Sequence, residues 1–216
     1  EGIIVTDRSG KVTMMNKVAE YYTGWQNGQA AGHDIQEVFY NLDIATGEKR
    51  PNPVRYVLET GKSISSEKYV GLLSQDGTQR YILSSAAGIL DDQGHMTGAV
   101  LSFRDISTEY EQEKEIDGFL NSNLDISCIF DAEGNFHRVN KKFEEIFGYT
   151  SEEVKGRNYI FLVDDSELAV TLDFMKGLNE NKLITGFMNK CRCKDGSSRY
   201  VEWNAQKGNT AFFFAS

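Results

Sequence analysis

The sequence predicts an α+β chain made of two successive copies of one domain, each a five-stranded antiparallel sheet with helices on one face, joined by a connector helix. Three observations predict it. First, DRSGKVTMMNKVAEYYTGW (Asp7 to Trp25) returns as DAEGNFHRVNKKFEEIFGY (Asp131 to Tyr149), with aspartate, two glycines, asparagine and a closing aromatic in the same places. Second, the spacing of 124 residues persists from Gly10 and Gly134 to Gly32 and Gly156, then becomes 119 at Asp76-Gly77 and Asp195-Gly196 and at Arg80-Tyr81 and Arg199-Tyr200. So long a period means a duplicated domain, not a short-repeat solenoid. Third, each copy reads as two strands, then helices, then three strands, an order that closes as an antiparallel sheet covered on one side.

The elements follow in order. Gly2–Thr6 is an apolar strand, Asp7-Arg8-Ser9-Gly10 carries turn chemistry, and Val12–Met15 returns as the second strand. Asn16 suits a helix N-cap. Thr150 and Glu153 spell a T-x-x-E capping box, for which the first copy offers only Gln26 and Gln29. Asn52-Pro53 opens a helix over Val54–Glu59 that Gly61 ends, and Asp164–Leu178 plays that part in the second copy. Strands are expected over Lys68–Ser74, Gln79–Leu90 and Met96–Arg104. Asp105 to Asn123 is charged and proline-free, with apolar residues at roughly helical spacing. It reads as a helix, and either a solvated connector or a signalling helix that pairs in a dimer fits that periodicity. The expected boundaries are 1–107 for the first domain, 108–123 for the connector and 124–216 for the second.

Composition bounds the function. At 216 residues, 40% apolar and 25% charged, the chain is long enough for two globular domains. A formal charge of −9 argues against nucleic acid and against anionic membrane surfaces. The longest apolar cluster, Ala211 to Ala215, is one strand's worth and far short of a membrane span. Strand-like text at both ends suggests an excised piece of a longer protein. Three cysteines make no disulfide framework: Cys191 and Cys193 share a strand face, Cys128 stands alone, and no second pair completes a zinc site. A reduced, cytoplasmic setting is the default.

The order D-x-x-G, N, G-[WY], D-G-x-x-R-Y and a closing F-R-D-I resembles tandem PAS domains. SAAGILDDQGHMTGAVLSFRDIS in the first copy is similar to PAS text of bacterial sensor kinases and diguanylate cyclases; FGYTSEEVKGR and DGSSRYVEW carry the resemblance in the second. It covers nearly the whole chain and implies a sensory or regulatory module that passes a signal through linker helices to an effector outside the chain. The other reading is a ligand-free dimerisation or spacer module. In that family the aspartate of F-R-D-I ends the core and begins the exit helix. This makes Asp105 the expected relay residue, with Arg104 and Ile106 beside it. Aligning Thr97–Arg104 with Asn209–Ser216 leaves the second copy without that triplet. A homodimer formed through helices is the expected assembly.

No catalytic residue is expected, because GxxxxGK[ST], HExxH and GxSxG are all missing. His33-Asp34 superficially resembles a phosphorylation box, yet it follows Gly32 and reads as a loop or helix start. No histidine falls in Val54–Glu59 or Leu168–Leu178, so haem is not expected, nor is the NCRFLQ text of covalent flavin sensors present. No cofactor or metal is evident, and an unidentified small ligand or a noncovalent flavin stays open. For a ligand pocket the candidates are Ile82, Ser84 and Ala86 in the first copy and Val201 and Trp203 in the second. Trp203 would fill space that Ser84 leaves open, which predicts a roomier, polar-lined cavity in the first domain and a filled core in the second. The phenylalanines at 136, 143, 147, 161, 174 and 187 read as core.

Overall fold

The computed structural model describes residues 1–66, 69–179, 183–208 and 213–215. It divides into two compact units, Glu1–Gln112 and Glu113–Ser216.

The first unit runs β1 (Gly2–Asp7), β2 (Val12–Met15), α1 (Lys17–Thr23), α2 (Asn27–Ala30), α3 (Ile35–Val38), β3 (Tyr40–Leu42), α4 (Pro53–Thr60), β4 (Ile64–Ser65), β5 (Val70–Leu73), β6 (Gln79–Leu90) and β7 (Met96–Asp105), then enters α5 (Ser107–Ser122). Its antiparallel strands lie in the order β2-β1-β7-β6-β5-β3, and β4 pairs with β6. Two short strands, β3 and β4, therefore join the expected five. Each depends on a partner far along the chain, so local pattern could not announce it. The strand expected from Lys68 is ordered from Val70, and Lys68 itself lies outside the described residues. Local chemistry does set the helix ends. Asn16 accepts from the Ala19 amide, Asn52 from the Val54 amide, and Gly24 and Gly61 close α1 and α4 at φ of 78° and 72°, where a side chain would be strained. One sheet face buries Ile4, Leu72, Ile82, Leu101 and Phe103 against Val54 and Val57 of α4 and Phe39.

The second unit holds β8 (Cys128–Phe130), β9 (Phe136–Val139), α6 (Lys141–Phe147), α7 (Ser151–Val154), 3₁₀ turns at Tyr159–Leu162 and Asp165–Glu167, α8 (Leu168–Asn179), β10 (Ile184–Arg192), β11 (Ser198–Lys207) and β12 (Phe213–Ala215). Its sheet order is β10-β11-β12-β8-β9. The Thr150–Glu153 capping box forms with both hydrogen bonds, whereas Gln26 makes no side-chain cap. All six phenylalanines named above pack in or against this core.

One expectation about register needs correcting. Ala86 pairs with Leu101 in the first sheet and Ala205 with Ala215 in the second. Because Ala86 and Ala205 are counterparts, Leu101 corresponds to Ala215, an offset of 114. The alignment of Thr97–Arg104 with Asn209–Ser216, whose end residues lie outside the described ones, is two residues out. The β11–β12 turn is shorter than a uniform offset allows.

Candidate functional site

Two places concentrate chemistry. The first is the junction where β7 passes into α5. The Ser107 amide and hydroxyl both donate to Asp105 Oδ1, at 2.8 and 2.6 Å, and the Tyr81 amide donates to Ser107 Oγ at 3.0 Å. The Ile106 amide donates to the Tyr81 carbonyl at 2.8 Å, and the Ile106 side chain is buried. On the other side of the carboxylate, Arg80 Nε stands 3.8 Å from Asp105 Oδ2. The Arg80 guanidinium lies 5.3 and 5.4 Å from the ring centres of Tyr21 and Tyr22 of α1, within cation–π reach. Tyr110, one turn into α5, lies against Tyr81 with ring centres 3.9 Å apart. Asp105 thus joins the exit helix to the start of β6 and, through Arg80, to α1.

Of the three residues expected here, Asp105 and Ile106 are built into the junction. Arg104 is not: its side chain is 62% exposed and meets Glu109 at 3.9 Å, a surface pair worth at most about 1 kcal/mol. Sequence reasoning missed Arg80 and Ser107 as site residues. Both left a signal. Arg80 stands in the repeated D-G-x-x-R-Y, and Asp-x-Ser recurs at Asp7, Asp105, Asp164 and Asp195, each aspartate accepting from the serine amide and hydroxyl.

The second place is a half-open pocket of about 50 Å³ in the second unit. Phe136, Phe174, Met175, Phe187, Trp203 and Ala215 are among the residues of its wall, and Phe174 and Phe187 stack at 4.1 Å between ring centres. A short polar chain lies among them. Trp203 Nε1 donates to Asn189 Oδ1 at 3.0 Å, Asn189 Nδ2 donates to Thr171 Oγ1 at 3.1 Å, and Thr171 Oγ1 donates to the Glu167 carbonyl at 2.9 Å. Cys191 Sγ also donates to Asn189 Oδ1, at 3.2 Å. Cys128, which stood alone in sequence, lines the same pocket as Cys191. Burial pushes both thiols up to about 12, so they are protonated at neutral pH.

A pocket therefore lies beside Trp203 in the second domain, where the sequence led us to expect a filled core. Trp203 does face the core, at 9% exposure, and the half-open pocket beside it is in its own domain. Ser84 faces, across the strands, the fully buried Phe103, whose ring lies 5.1 Å from that of Phe39. Ile82 and Ala86 are solid core, Ala86 also bordering a shallow surface groove, and Val201 packs at the edge of the second core. By strand register Leu101 and Ala215 are counterparts, a leucine in the first core and an alanine lining the pocket in the second.

The remaining candidates are structural. Asp34 caps α3 and pairs with Arg55, and His33 Nδ1 sits 3.0 Å from Glu37. Among the described residues no cluster of three or more acidic, histidine or cysteine side chains could hold a metal, and no helix is long and apolar enough to cross a membrane.

Comparison with known proteins agrees with the architecture. Two models described as PAS fold match residues 1–111 and 136–208. The signal transduction histidine-protein kinase AtoS of Escherichia coli (strain K12) is 31% identical over 119 residues, 54% of this chain. The chain spans only 18% of that relative's length. Among solved structures, a domain of a sensory box sensor histidine kinase/response regulator from Geobacter sulfurreducens aligns with a TM-score of 0.43 at 18% identity, covering 50% of this chain and 93% of that one. The PAS domain of a protein from Colwellia psychrerythraea aligns with a TM-score of 0.39 at 25% identity, covering 50% and 86%. The matched models, one over each unit, show that the chain belongs to the PAS fold family and carries two PAS domains in tandem.

Proposed function

We propose that this tandem PAS segment senses a small molecule or a partner and relays the event through its linker helices to an effector, a histidine kinase or a diguanylate cyclase. On this reading the segment itself catalyses nothing and works in the cytoplasm. The observation that carries the proposal is the Asp105 junction. One carboxylate holds the first turn of α5 while facing an arginine that rests on α1, so a shift in the helices over the sheet changes what holds the exit helix. A ligand acts here only through its differential affinity for two arrangements of that helix.

The test uses the complete parent protein. Arg80→Ala and Asp105→Asn are each expected to shift basal output several-fold, in either direction, with far-ultraviolet circular dichroism unchanged. Unchanged output in both folded variants would leave the segment a spacer. That second reading has its own support: Ile116 and Phe119, three residues apart on α5, are 45% and 79% exposed, an apolar pair suited to helix pairing in a homodimer.

A further inference from the structure

We infer that Arg138 clamps α5 to the second domain across a soft point at Gly118, and so decides whether a movement of the exit helix reaches that domain. The inference deepens the relay reading above and rests on it. The first turn of α5 is fixed at the Asp105 junction, and from Glu113 onward the helix belongs to the second unit. Two separate sets of contacts hold it there. Near its end, Leu120 is 7% exposed, its carbonyl accepts from Asn140 Nδ2 at 3.2 Å, and Asn121 Oδ1 accepts from the Lys141 amide at 2.8 Å. Earlier in the helix, Arg138 of β9 takes hold. Its Nη2 donates to Glu113 Oε1 at 3.3 Å, and its Nη1 donates to the Glu113 carbonyl at 3.4 Å and to Asp117 Oδ1.

Glu113 and Asp117 stand four residues apart, on one face of the helix, and a single planar guanidinium spans them. The Arg138 side chain is only 18% exposed although both carboxylates are about half exposed, so water reaches one side of the clamp alone. This arginine is no part of the repeated scaffold. Its counterpart at the offset of 124 is Met14, which is 48% exposed on β2.

Gly118 lies between the two sets of contacts. A Cβ built there meets nothing within 4 Å, and its φ is not positive, so neither packing nor backbone geometry asks for glycine. Glycine weakens a helix interior more than any residue except proline. The helix is therefore softest at a position that nothing else constrains. Without Arg138, the segment ahead of Gly118 is loosened while Leu120 stays seated, and a movement that begins at Asp105 is absorbed at the glycine. With it, both sides of Gly118 are tied to the same short stretch, Arg138 to Lys141, and move together. Arg138 is in this sense a positioning residue.

The test is amide hydrogen exchange on the complete parent protein. It is read over Phe119, Leu120 and Asn121, whose helical hydrogen bonds reach back across Gly118. Arg138→Gln is expected to speed exchange there about tenfold, and adding Gly118→Ala to bring it back to within about threefold of the unaltered protein. Glu113→Gln with Asp117→Gln removes the clamp from the helix side at less buried positions, and decides the matter if Arg138→Gln does not fold. Unchanged exchange would overturn the clamp. Lost protection that Gly118→Ala fails to restore would overturn the soft point and leave Arg138 an ordinary ion pair. Effector output separates this from the relay reading: the effect of Asp105→Asn is expected to shrink severalfold with Arg138→Gln and to return with Gly118→Ala. An effect that survives Arg138→Gln intact would overturn the clamp's part in the relay. If Asp105→Asn leaves output unchanged by itself, the relay reading fails, and the exchange rates still judge the clamp.

Discussion

Asn140 is 1% exposed, and its side chain makes four hydrogen bonds. Its Oδ1 accepts from the Ser127 and Phe143 amides at 2.9 and 3.0 Å, and its Nδ2 donates to the carbonyls of Leu120 and Asp125 at 3.2 and 2.8 Å. The counterpart Asn16 caps α1 in the same way, accepting from Ile3 and Ala19 and donating to Glu1, but in a half-exposed setting where water can replace the lost partners. Removing a cap costs about 1 kcal/mol, and leaving buried groups unpaired costs about 1–3 kcal/mol more. Asn140→Ala should therefore destabilise its domain by about 2–4 kcal/mol, and Asn16→Ala its own by about 1 kcal/mol. Urea unfolding followed domain by domain checks this, and equal losses would show that burial does not decide the difference. The asparagine repeat announced the cap at both positions. Nothing local announced that only one of them would be sealed from solvent.

At the scale of an element, the turn into α8 is held by a single carboxylate. Asp164 accepts from the Ser166 hydroxyl at 2.7 Å and the Ser166 amide at 3.2 Å, and Lys190 Nζ lies at 3.2 Å. The Ser166 hydroxyl, then its amide, then Lys190 hold the Asp164 carboxyl down to about 2. A depressed carboxylate stabilises the fold above its unfolded pKa of about 3.9, and that stabilisation is lost as pH falls through about 2. The Asp164 carboxyl carbon should therefore titrate near 2 by NMR, and Ser166→Ala should raise the midpoint toward 4. A midpoint near 4 in the unaltered protein would show that the turn does not depend on this charge. Elements like this one were legible because their signals are local: caps, αL glycines and Asp-x-Ser turns repeat wherever the backbone turns. The short β3 and β4 were not, since each exists only because a distant strand pairs with it. The pocket was hidden for a related reason. The pairing of Leu101 with Ala215 as counterparts is visible only once strand register shows that the offset has dropped to 114, whereas the comparison of Ser84 with Trp203 uses the offset of 119.

Over the whole molecule, two separate apolar cores imply two unfolding events. Each unit buries its own cluster, the first closed by Phe103 and Phe39, the second built on Phe143, Phe147 and Trp203. Domains with independent cores unfold independently unless a large interface couples them. The chain's two tryptophans report the events separately, because Trp25 belongs to the first unit and Trp203 to the second. With 5-fluorotryptophan incorporated, the two fluorine resonances should lose their native positions at different urea concentrations. Ala215→Val, whose added methyls cover apolar surface in the pocket beside Trp203, should raise only the Trp203 midpoint, by an amount equivalent to about 1 kcal/mol. A fall in that midpoint would mean that the wall at Ala215 cannot accept more volume, since overpacking is itself destabilising. A single shared transition would mean that the two PAS domains are energetically one body, and a ligand in the second would then act directly on the stability of the Asp105 junction in the first.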